Sequence, residues 1–234
     1  MAQIAGVDGC RAGWLCIHMD TESRALRPTI HWSASDLFAC AQTLDVLTID
    51  IPIGLPEAGP RAVDLEARRL LGPIRASSVF PAPVRATLGA ESWERACALS
   101  EAACGKRLSK QTFAILERIR DVDTALRADA ALRTRVREIH PELCFFHMNG
   151  QVPVVPPKRT PEGFRIRRDL VEGHFGPVFE PLRRAVPSSA AADDDILDAV
   201  AALWTAERIV EGRAITIPAH PPRDQHGLAM QMVA

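Results

Sequence analysis

The chain has 234 residues and a formal net charge of −1, from 28 basic against 29 acidic side chains. With 47% hydrophobic and 24% charged residues it carries enough apolar surface to bury a core, which excludes a disordered or fibrous chain. No global positive field exists to attract nucleic acid, so such a partner has to meet a local patch.

Lysine occurs only at Lys106, Lys110 and Lys158, so nearly all cationic charge is arginine. The guanidinium fork suits phosphate, and heavy arginine usage also follows from genomic base composition. Residues 4–8 and 14–19 are apolar runs, and Gly9-Cys10-Arg11-Ala12-Gly13 between them has the glycines of a tight hairpin. Residues 28–32 predict a third strand, and Ser35 precedes a capped short helix over 36–41. Residues 46–51 are a continuous apolar and β-branched run, the pattern of a strand buried on both faces; Pro52, Gly54 and Pro56 end it.

The signal then turns helical. Residues 64–71 stop at Gly72-Pro73, and residues 91–104 and 112–132 are amphipathic. Residues 135–140 return to strand character before Pro141, with 142–148 open to strand or helix. Residues 151–187 are rich in Pro, Gly and Arg with weak periodicity, which predicts an irregular flap over about 151–190. Residues 193–210 form the clearest helix, Gly212 ends it, and 214–217 suit a last strand. The order predicts one α/β domain with a mixed sheet, helices on both faces and a mostly helical insertion over about 57–132.

The six cysteines (Cys10, Cys16, Cys40, Cys97, Cys104, Cys144) show no C-x-x-C pair and no zinc-type spacing. Free thiols in a reducing, cytoplasmic compartment are expected. The N-terminus has no basic region and Asp8 interrupts its apolar run, which argues against a signal peptide. No apolar run approaches the roughly 18 residues of a membrane span.

The chemistry points to carboxylates. Asp8 and Asp50 each end an apolar strand, and sites in α/β sheets gather outside strand ends, although an Asp there also starts turns. Glu138 sits between apolar neighbours on an interior strand, where a carboxylate has to be paired, with an arginine such as Arg135 or Arg137, or bound to a metal. Asp193, Asp194 and Asp195 open the last helix, as capping and the helix dipole favour. Asp198 lies one turn further in, on a helix apolar nearly all round. Its i−3 and i−4 neighbours Asp195 and Asp194 repel it unless a cation sits between them. An all-carboxylate set selects a hard cation, Mg²⁺ or Mn²⁺, and such sets activate water in phosphodiester cleavage.

The chain resembles the DUF429 family of predicted nucleases with a ribonuclease H-like fold. The likeness runs through Gly6-Val7-Asp8-Gly9-Cys10-Arg11-Ala12-Gly13-Trp14, Ile49-Asp50-Ile51-Pro52-Ile53-Gly54-Leu55-Pro56, Arg75-Ala76-Ser77-Ser78-Val79-Phe80, Ser109-Lys110-Gln111, Arg137-Glu138-Ile139-His140-Pro141-Glu142 and Asp194 through Ala206. It implies a five-stranded mixed sheet of ribonuclease H type, with Asp8 on the first strand, Asp50 on the fourth and the last acid on the C-terminal helix. Asp195 is favoured for that acid by its place in the first turn, and Asp198 by its burial. Glu138 would be a further ligand or a water-orienting base.

Arg75, Ser77 and Ser78 fit either a phosphate contact or the cap of a turn, and Lys110 and Gln111 either a phosphate contact or a helix start capped by Ser109. The resemblance weights the phosphate side and adds Arg11. His140 stands as an outer metal partner or proton shuttle. Lys158, Arg159, Arg165, Arg167 and Arg168 form a basic stretch for a nucleic-acid backbone or a solvated loop. The expectation is a metal-dependent nuclease whose substrate is RNA, DNA or a hybrid. An actin-like nucleotide-binding phosphotransferase and a non-catalytic nucleic-acid-binding module are the competing readings.

Overall fold

The computed structural model describes all residues, Met1–Ala234. Strand β1 (Gln3–Cys10) returns through a two-residue turn at Arg11 and Ala12 into β2 (Gly13–Asp20), with Asp8 opposite Leu15 and Cys10 opposite Gly13. Gly13 has φ +132°, open to glycine alone at little cost, and its missing side chain lets the β3 backbone approach at His31. Strand β3 (Leu26–His31) forms the edge of the sheet. Helix α1 (Ala34–Ala41) follows, capped not by Ser35 but by Ser33, whose hydroxyl accepts from Asp36 N at 3.1 Å.

Strand β4 (Val46–Ile49) lies parallel to β1, and the short β5 (Val136–Glu138) lies parallel to β4, so the order is β3-β2-β1-β4-β5. This is a five-stranded mixed sheet flanked by helices, consistent with a ribonuclease H-like fold. Between β4 and β5 the chain is helical as expected: α2 (Ala62–Arg75), α3 (Trp93–Cys104), α4 (Lys110–Ala114), α5 (Leu116–Ala128) and α6 (Ala130–Arg135). The expected stop at Gly72-Pro73 is a kink, with φ +68° at Gly72, beyond which α2 resumes for one short stretch. The single helix expected over 112–132 is three pieces, broken at Ile115, which leaves the helical region between α4 and α5, and at Asp129, which leaves it to cap α6 through Ala131 N and Leu132 N.

Residues 142–148 resolve as helix, α7 (Pro141–Met148), started by Pro141 and capped by His140. The irregular flap expected over 151–190 is not there. Its greater part is α8 (Pro161–Phe175) and α9 (Phe179–Ala185), with Thr160 capping Gly163 N and Val171, Phe179 and Leu182 buried against the last helix. Gly163, Gly173 and a dense set of arginines disguise the helical period, and one arginine of that period, Arg167, is itself a core residue. Helix α10 (Asp193–Val210) has the expected bounds. The strand expected over 214–217 is β6 (Thr216–Ile217), which pairs with a further strand, β7 (Met232–Val233), in a separate two-stranded sheet.

Helix α10 crosses one sheet face and packs on Ile4, Leu15 and Ile17, while α1 and α5 pack on the other, against Ala5, Val7, Cys16 and Leu47. Gly6 lets α10 come so close that any Cβ there would overlap Leu203 N and Ala199 O. Thr48, fully buried, donates its hydroxyl to Ala202 O at 2.7 Å, so β4 and α10 are joined by a hydrogen bond as well as by apolar contact. No helix is long and apolar enough to cross a membrane, and all six cysteines are free thiols.

Candidate active site

Parallel pairing of β1 and β4 sets Val7 beside Ile49, both on the α1 face. One residue further along each strand, Asp8 and Asp50 therefore turn together to the α10 face, because successive side chains alternate. Asp198, one turn into α10, meets them there. These three acids and Asp195 line one cavity of about 550 Å³, together with Trp14, Arg75, Ser78, Arg118, Lys158 and Arg159.

The electrostatics bear the mark of this convergence. Burial pushes the Asp8 carboxyl well above the usual carboxylate range, and the charges of Asp198 and then Asp50 push it further. Burial likewise raises Asp50, against the pull of His140 and Lys158. It raises Asp198 to about 6, although Lys158 Nζ donates to Asp198 Oδ2 at 2.6 Å. The same ammonium lies 3.1 Å from Asp194. The cation that the repelling acids call for is thus supplied in part by the chain itself, from the loop before α8.

The two candidate helix acids do different work. Asp195 accepts from Ala192 N at 2.8 Å, closing the start of α10, and burial raises its carboxyl. Asp198 is 4% exposed and weighs more heavily on Asp8 than Asp195 does. Its deeper burial therefore favours Asp198 as the partner of Asp8 and Asp50, with Asp195 also on the cavity wall.

Glu138 reaches the cavity wall with its charge already spent, contrary to a role as ligand or base. It pairs in the sheet with Ile49, so it shares that residue's face and not Asp50's. Arg61 grips it with 2.7 and 2.8 Å contacts, Ile53 N donates to it at 2.6 Å, and Asp64 holds the other edge of the same guanidinium. Burial still raises the carboxyl to about 7. The arginine is neither Arg135 nor Arg137 but one from the start of α2, which only the tertiary fold brings near. His140 has both ring nitrogens engaged, one accepting from Glu142 N and the other against Ser78 O at 3.2 Å. It caps the start of α7 and also lines the cavity, near enough for its charge to act on Asp50.

Of the expected phosphate contacts, Arg75 and Ser78 line the cavity; Arg11, Ser77, Lys110 and Gln111 are exposed and do not. Lys110 instead lies over the Trp93 ring at 5.4 Å, and Ser109 caps α4 through Thr112 N. The basic stretch also divides. Lys158 and Arg159 face the cavity, while Arg165 and Arg168 pair with Asp169, Glu172 and Glu180, and Arg167 is buried on Glu142 at 2.7 Å.

Two contributors escaped the sequence reading. Arg118 of α5 reaches across to donate to Cys10 O at 2.6 Å and stacks over Trp14, its charge centre 5.5 Å from the ring. Glu142 is clamped between Arg75 at 2.8 Å and Arg167, and it sets Arg75 at the rim. The only available signal for Glu142 was its place in a helix first turn after His140-Pro141, and Arg118 had none.

Hard oxygen donors in a buried, electrostatically strained cluster fit Mg²⁺ or Mn²⁺. No curated protein and no solved structure matches the chain. Residues 6–223 match the family described as protein of unknown function (DUF429). Because that match covers nearly the whole chain, the protein belongs to the DUF429 family.

Proposed function

We propose that this protein is a metal-dependent phosphodiesterase acting on nucleic acid. The observation that carries the reading is the meeting of Asp8, Asp50 and Asp198, from three separate elements, in a cavity rimmed by Arg75, Arg118, Lys158 and Arg159. Acids that raise one another's pKa on burial are costly to keep, and an anion-binding rim beside them is what a phosphodiester needs. Asp8, Asp50 and Asp198 would hold Mg²⁺ or Mn²⁺, which when bound lowers the pKa of water and stabilises charge on phosphate oxygens.

The chain's own groups do the rest. Arg118, fixed by Cys10 O and Trp14, and Arg75, fixed by Glu142, present guanidinium edges to a phosphate without losing side-chain freedom at binding. Lys158 supplies a further donor beside Asp198. Asp195 commits one oxygen to Ala192 N, and its raised carboxyl suits the second oxygen to accept a proton from the attacking water. The exposed ring of Phe80 on the cavity wall offers a base a stacking surface.

The test is cleavage of labelled RNA, DNA and hybrid oligonucleotides with Mg²⁺ or Mn²⁺, with the Asp8→Asn variant purified in parallel. Loss of at least 100-fold in the variant is expected, in line with removing a charge that acts on the transition state. Equal rates in the two proteins would assign the activity to a contaminant. Thermal stabilisation by Mg²⁺–ATP but not by oligonucleotides would instead support a nucleotide phosphotransferase.

A further inference from the structure

Strands β2 and β3 carry a second group of metal-binding side chains on the sheet face away from the carboxylates. Cys16 faces α1 with Val7, its partner in β1, whereas Asp8 and its partner Leu15 face α10. His18 follows on the same face of β2. Across the pair, His31 lies opposite Trp14 and Thr29 opposite Cys16, so β3 contributes His31 and Thr29 to that face. The ligand atoms of Cys16, His18 and His31 all lie within 4.8 Å of one another. Cys40, in the last turn of α1, brings its Sγ to 4.0 Å from His18 Nε2.

We infer that Cys16, His18, His31 and Cys40 form a binding site for a soft or borderline divalent cation of the Zn²⁺ type. Two thiols and two imidazoles are the donor set such ions select over Mg²⁺. Ligand atoms around tetrahedral zinc stand roughly 3.3–3.8 Å apart, given bonds of about 2.0–2.3 Å, so Cys16, His18 and His31, within 4.8 Å of one another, need close by only about an ångström, and Cys40 completes the set by swinging in from beside His18. Thr29 Oγ1 touches Nε2 of both imidazoles, His18 at 2.9 Å and His31 at 3.1 Å, so both nitrogens point at one spot, and an ion bound there takes the place of the threonine contacts. His18, His31 and Cys40 are half-buried at the sheet edge, so an ion reaches them without unfolding. Four protein donors close the shell, which makes the site a clamp joining α1 to edge strand β3 and separates it from the hydrolytic cavity.

The experiment titrates the chelator-stripped full-length protein with Zn²⁺ by calorimetry and with Co²⁺ by absorption. One equivalent is expected, with a thiolate-to-cobalt charge-transfer band. Affinity should drop at least tenfold in Cys40→Ser and in His31→Ala, and the band should persist in Asp8→Asn/Asp50→Asn. Both His31 and Cys40 are half-buried, so neither change opens a core cavity. In the unaltered protein, Zn²⁺ should also slow alkylation of Cys40 and leave that of Cys104, likewise half-buried, unchanged. The absence of a charge-transfer band, or a band unaltered in Cys40→Ser/His31→Ala, overturns the inference; so does a band lost with the two aspartates alone.

Discussion

At the residue scale, the site is held against its own stability. Asp8 is 7% exposed and raised by burial and by three other acids, Asp198, Asp50 and Asp195, with no hydrogen-bonded cation of its own. A carboxyl whose folded pKa is raised binds its proton more tightly in the folded than in the unfolded chain. Its contribution is therefore best below the ordinary value of about 4, and it declines as pH climbs through the raised value, reached for Asp198 at about 6. The metal-free protein should lose stability between about pH 4 and 6, and Mn²⁺ affinity should rise over that window as the acids ionise. Asp8→Asn should raise the metal-free Tm at pH 7.5 by about 2–6 °C while removing Mn²⁺ stabilisation, checked by calorimetric scans with and without the ion. Glu138 is the contrast, an acid spent on structure. Glu138→Gln should leave Mn²⁺ affinity within about threefold, whereas Arg61→Met, stranding Glu138 and Asp64 in the core, should cost about 3–5 kcal/mol in urea unfolding. A large loss of Mn²⁺ affinity in Glu138→Gln would return Glu138 to the ligand set.

At the element scale, β1 and α10 are the pair on which the site depends. Asp8 sits at one end of that contact and Asp198 near the helix start, so the separation of their carboxylates follows the approach of helix to strand. Gly6 sets that approach. Gly6→Ala should force α10 outward and destabilise the fold by about 1–3 kcal/mol or more, with Mn²⁺ affinity falling alongside, measurable by denaturant unfolding and calorimetry. The strands and α10 were legible because their patterns are strong: β-branched runs for β4, acids then an apolar body for α10. Helices α8 and α9 were not, because Pro161, two glycines and the arginines blur the period that burial of Val171, Phe179 and Leu182 reveals. Arg167 makes the point sharply, a charged residue at 1% exposure that reads as surface until Glu142 is placed beside it.

At the scale of the whole molecule, a net charge of −1 leaves no global field, so under the proposed function nucleic acid would be met by a rim of few cations. Oligonucleotide binding should therefore show a shallow salt dependence, and Arg159→Ala should make the slope of log K against log salt shallower by about one, since Arg159 is 88% exposed at the cavity edge. An unchanged slope would place the backbone elsewhere. The sequence alone determined the α/β class, the place of Asp50 at the end of β4 and the burial of Asp198, because each follows from local periodicity and from the cost of an acid in apolar surroundings, whereas Asp8, expected to end its strand, is paired inside β1, which runs on to Cys10. Only the tertiary structure decided which charges cancel. Arg61 and Glu138 lie 77 residues apart in sequence, and Lys158 and Asp198 lie 40 apart; strand parity and helix docking, which no local pattern encodes, put the first pair into the frame and the second into the cavity.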